Sequence, residues 1–113
     1  MKKTLSLSPR LAAIASFVPK NANVIDVGTD HGYIPIYLAQ TGWADNIYAS
    51  DINKGPLASA EKNACIYASD SKIGFILANG LDGTADLNID TVIIAGMGGE
   101  VISAILGNTP WVR

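Results

Sequence analysis

The feature that most constrains this chain is an alternation. Four short apolar runs, "NVIDV", "NIYASD", "KIGFILAN" and "DTVIIAG", recur between residues 23 and 96, and each ends at or beside a glycine or a carboxylate. A continuous apolar run with few polar breaks is how a strand buried on both faces reads. Between the runs lie segments such as "YIPIYLAQTG" and "LASAEKNACIYA", long enough for crossover helices. The strands are therefore expected to be parallel, with right-handed connections. This is an α/β chain with a Rossmann-like, doubly wound, mostly parallel sheet. It is incomplete, with about four strands, and residues 1–113 form one domain.

Local signals place the helices. In "LSPRLAAIASFVP", Ser8 can cap, Pro9 suits a first turn and Pro19 stops the helix. Leu11, Ile14, Ala15 and Val18 fall on one face, at i, i+3, i+4 and i+7. Pro35 is tolerated only in a first turn, so the second helix starts near Gly32 and ends at Gly42. Asn53 and Pro56 open a third. "GGEVISAILG" reads as a fourth helix, closed by Gly107. That reading leaves the fourth strand with an unpaired edge, a route to self-association. The pattern stops at "NTPWVR", which points to the N-terminal part of a longer protein.

Composition excludes several classes. Eight basic against ten acidic residues give a net charge of −2, and the basic residues are scattered. A chain that grips nucleic acid alone needs clustered Lys and Arg. Cys65 is the one cysteine, so no disulfide framework or cysteine metal site can form within the chain, and it reads as a small buried thiol. No apolar run reaches the length of a membrane span. The expected setting is the cytoplasm, with no metal and no membrane.

The candidate chemistry lies at strand ends, where open α/β sheets bind ligands. Asp26 closes the first strand before "GTDHG", Asp51 closes the second, Asn79 and Gly80 close the third, and Gly96, Met97 and Gly98 follow the fourth. A carboxylate at the end of the second strand can accept from both ribose hydroxyls of a nucleoside cofactor. Gly28 and Gly32 let backbone approach it closely. A dinucleotide loop requires G-x-G-x-x-G, so that a pyrophosphate can rest on free amides. Here Asp30 and Tyr33 hold the second and third glycine positions. A carboxylate there repels a pyrophosphate and attracts a cation. S-adenosylmethionine, with a sulfonium, an amino group and no phosphate, is the better match. Asp30 and His31 are the titratable residues of this loop and the candidate general bases.

The strings "LSPRLAAIASFV", "DVGTDHGYIPIYL", "SDINKGPLASAEKN", "NGL" and "DTVIIAGMGGEVISAIL", in this order, resemble the bacterial tRNA (adenine(22)-N1)-methyltransferases. The resemblance implies the fold of a class I S-adenosylmethionine-dependent methyltransferase. It also implies a helical C-terminal extension that helps to hold tRNA, which this chain lacks. By that likeness Asp26, Gly28, Asp30, Gly32, Tyr33, Asp51, Ile52, Asn79 and Gly80 line the cofactor site, and Gly96, Met97 and Gly98 stand at the substrate base. The rival readings are an NAD(P)-dependent oxidoreductase, disfavoured by Asp30, and a non-catalytic module of the same fold.

Overall fold

The first helix forms where its local signals put it. Helix α1 covers Pro9–Ser16, with Pro9 in the first turn and the Leu11 amide donating to the Ser8 side chain at 3.3 Å. Ile14, Ala15 and Val18 are buried. The computed structural model describes residues 5–29, 31–79, 83–94 and 100–103 of the chain. Strand β1 is Asn23–Val27, helix α2 Tyr33–Thr41, strand β2 Asn46–Asp51, helix α3 Lys54–Ile66 and strand β3 Ile73–Leu77. Strand β4 is Thr91–Ile94 and strand β5 Glu100–Ser103. Gly32 and Gly42 bound α2 at both ends, each in the left-handed region (φ +73° and +68°) that glycine enters without a Cβ penalty.

The strands lie in the order β3-β2-β1-β4-β5. β1, β2, β3 and β4 are parallel, and β5 runs antiparallel to β4. From β1 the chain steps outward through β2 to β3, then returns to the other side of β1 as β4. The carboxyl ends of β1 and β4 thus flank the reversal of strand order, where such sheets leave a crevice.

Right-handed crossovers put α2 and α3 on the same face. There Ile14 and Val18 of the α1 segment, Ile36 and Leu38 of α2, and Val24, Ile47 and Ile93 of the sheet form one buried cluster. The two-residue period of a strand sends Ile25 and Val92 to the opposite face. They pack there with Ile89, against half-buried Val27, Tyr48, Ile76 and Ile94.

Three expectations are corrected. The segment read as a helix from "GGEVISAILG" supplies β5 over Glu100–Ser103 instead, and its remainder lies outside the described residues. Val101 and Ile102 are β-branched, and pairing Ile93 with Val101 and Val92 with Ile102 completes an edge that a helix would leave open. The β4 edge is consequently paired, and β5 takes its place as the terminal strand of the sheet. Cys65 is exposed rather than buried. The buried stripe of α3 is Leu57, Ala60 and Ala64, and Cys65 stands one residue round the helix from it. Among the described residues, no helix is long and apolar enough to cross a membrane.

Candidate functional site

The parallel register brings the candidate side chains to one end of the sheet. Val27 is level with Ser50, Asp26 with Ile93, and Asp51 with Leu77. The loop leaving β1 is tied down at its first residues, because the Gly28 and Thr29 amides both donate to the Ser50 carbonyl, at 2.9 and 3.0 Å. Gly28 takes φ +71° to make that turn. The loop closes with the Gly32 amide donating to the Thr29 carbonyl at 3.0 Å. A Cβ on Gly32 would stand 2.9 Å from Ala60 Cβ and 3.2 Å from Ala60 Cα, so α3 admits nothing larger there.

Asp26 sits beneath this loop, 4% exposed. Its Oδ2 accepts from the Thr29 hydroxyl at 3.1 Å, and its Oδ1 is buried with no partner among the described residues. Burial raises the carboxyl pKa to about 7; the Thr29 hydrogen bond pulls it back and the nearby Asp51 charge adds to the rise. Asp26 is thus a carboxyl with one oxygen satisfied and one waiting for a donor.

Asp51 is also buried, and its Oδ1 accepts from the Asn53 amide at 3.0 Å, a turn that starts α3. Its other oxygen, Oδ2, is what remains for a ligand. Beside it two large apolar side chains stay in the open: Ile52 is 61% exposed and Leu77 48%. Exposed aliphatic groups flanking an acid at strand ends suit the sides of a flat, nucleoside-sized ligand. Leu77 was missed in the sequence; its signal was the last apolar residue of "GFIL" before "AN". Asn79 is exposed.

His31 lies on the far side of the loop. Its Nδ1 is 3.5 Å from the Ser59 hydroxyl, its carbonyl accepts from Asn63 Nδ2 at 2.9 Å, and its ring stacks on Tyr33 with centroids 5.3 Å apart. The ring therefore rests against α3, the helix after β2, while β4 lies across β1. Thr29, Ser50, Ser59 and Asn63 were not singled out in the sequence. Only Thr29, three residues from Asp26 within the loop, carried a local signal. Asp30, Gly80, Gly96, Met97 and Gly98 lie outside the described residues. Asp26, Gly28, Gly32, Asp51, Ile52 and Asn79 are brought to the carboxyl end of the sheet, with Tyr33 opening α2 beside them. No cluster of potential metal ligands is found among the described residues.

Known proteins share this arrangement. The methyltransferase-domain family matches residues 7–113. The tRNA (adenine(22)-N(1))-methyltransferase of Bacillus subtilis is 35% identical over 102 residues, covering 90% of this chain and 43% of that protein. The structure of M. capricolum TrmK in complex with S-adenosyl-homocysteine superposes with a TM-score of 0.72 at 42% identity, covering 78% of this chain and 40% of that one. A Streptococcus pneumoniae protein, proposed as a tRNA (m1A22) methyltransferase and in complex with S-adenosyl-L-methionine, gives 0.76 at 39% identity. It covers 82% of this chain and 44% of its own. The chain spans less than half the length of these relatives.

Proposed function

We propose, from the premise that the chain belongs to the methyltransferase-domain family and within it to the bacterial tRNA (adenine(22)-N1)-methyltransferases, that it is the S-adenosylmethionine-binding part of an enzyme that methylates N1 of an adenine in tRNA. One observation carries the reading. Two buried carboxylates, Asp26 and Asp51, converge at the carboxyl ends of adjacent strands around a glycine loop. Among the described residues Asp26 keeps a buried oxygen without a partner there, which a cationic or amino donor would satisfy. A diphosphate brings only negative charge to the same place.

When bound, S-adenosylmethionine supplies a methyl group activated by its sulfonium. The chain's part is placement. Asp51 Oδ2 accepts from the ribose hydroxyls, Ile52 and Leu77 flank the base, and Gly28 and Gly32 allow the backbone to come close. Tyr33, Asn79, Asp30 and Gly80 are assigned to the cofactor site in this reading, and Gly96, Met97 and Gly98 to the substrate base by likeness to the family. Holding two reactants in line provides most of the rate in such a displacement. Attack by the N1 lone pair moves the positive charge from sulfur to an N1-methyladenine cation, and Asp30 and His31 are the loop residues proposed to receive an amino proton where that cation is neutralised. The His31 ring rests on α3, beside the Ser59 hydroxyl.

Calorimetric titration with S-adenosylhomocysteine and with NAD tests the reading. The first is expected to bind and the second not to. Asp51→Ala is expected to weaken the first by about tenfold or more, the loss of a charge-assisted hydrogen-bond pair. Binding of NAD in preference, or unchanged affinity in Asp51→Ala, would overturn it.

A further inference from the structure

The glycine loop is held from two sides. On one, the Ser50 carbonyl takes the Gly28 and Thr29 amides. On the other, one face of α3 receives the end of the loop: Ser59 at the His31 ring, Ala60 against Gly32, and Asn63 on the His31 carbonyl. Residues 59, 60 and 63 follow the helical spacing i, i+1, i+4, so they share one surface. Asn63 is half-buried and spends a side-chain amide hydrogen on a main-chain oxygen 32 residues away. A main-chain carbonyl in a loop gains nothing from side-chain identity, so this bond fixes where the backbone runs.

We infer that Asn63 is a positioning residue for the cofactor loop: its amide holds the His31 carbonyl, and through it the turn between Gly28 and Gly32, in the form that receives the ligand. The inference deepens the functional reading above and rests on it for the ligand. Ala60 acts with Asn63 by contact, because its Cβ sets the closest approach of Gly32. Ser59 acts on the ring alone. A loop held in this way would pay less ordering cost when a ligand binds.

The test uses Asn63→Ala, which removes the bond, and Asn63→Asp, which keeps the side chain's shape but puts an acceptor where the donor was. Two quantities are read in each variant and in the wild type. The first is amide hydrogen exchange at Gly32, without ligand. The second is the affinity for S-adenosylhomocysteine. Loss of one neutral hydrogen bond is expected to speed Gly32 exchange and weaken binding by roughly threefold to tenfold. The Asp variant is expected to be at least as impaired as the Ala variant, and exchange in the body of β1 is expected to stay unchanged. A purely structural role would move β1 exchange together with Gly32 and would let Asp behave as well as Asn. Normal Gly32 exchange in both variants overturns the inference. So does unchanged affinity in a variant whose Gly32 exchange has risen. If the wild-type chain takes no S-adenosylhomocysteine, the functional reading fails, while the exchange measurement still decides whether Asn63 holds the loop.

Discussion

Replacing Asp26 by Asn isolates the cost of the buried carboxyl. In the unfolded chain this group ionises near 3.8, and in the folded chain near 7. Between those values the native state holds a proton that the unfolded state has released. Stability therefore falls as pH rises through the window and levels off above about 7. The displacement corresponds to about 4 kcal/mol. Asn has the same outline, can still accept from Thr29, and cannot ionise. Urea unfolding of both proteins from pH 4 to pH 8 reads the effect as a difference, in which the other titrating groups cancel. The stability of Asp26→Asn relative to wild type is expected to climb by about 4 kcal/mol across that range. Thr29→Val in the wild-type background removes the one bond that lowers the pKa, and is expected to move the step to higher pH. A pH-independent difference would refute the reasoning, because it would mean that Asp26 ionises in the folded chain as it does in water.

Two further outcomes follow from local geometry. Gly32→Ala is expected to destabilise the chain by about 3 kcal/mol in urea titration, combining a left-handed backbone with contact against Ala60; a loss below about 1 kcal/mol would contradict both causes. Cys65 is expected to react fully with a thiol reagent at pH 8 without denaturant, since it is exposed. It should react more slowly than in urea, because partial desolvation, with Asp70 and Glu61 nearby, raises its pKa above 9.0; labelling only after unfolding would place it in the core.

Much of the fold was legible because its determinants are local. Ser8 and Pro9 specify a helix start within four residues, and Gly32 and Gly42 mark positions where a left-handed φ is needed. "NVIDV" and "NIYASD" coincide with β1 and β2 end to end. The candidacy of Gly28, Gly32 and Asp51 as site residues came from the same short-range logic, since a strand end followed by a tight turn is a statement about adjacent residues.

What the sequence by itself determined, then, is the order and kind of the elements and the end of the sheet at which polar residues gather. Only the tertiary structure decided what those residues meet. β5 exists because Val92 and Ile93 of β4 find Ile102 and Val101 across an edge, which the helix-compatible spacing of "EVISAIL" does not show. Asp26 became a carboxyl poised near neutrality because burial under the loop strips it of water, with the Asp51 charge adding to the effect. His31 turned toward α3 because Ser59 and Asn63 stand there, about thirty residues along the chain. Dihedral preferences and hydrophobic period act over a few neighbours and are written in the string. Burial, partner and pKa are sums over groups brought together from distant parts of the chain, and they take values only once the sheet has closed around them.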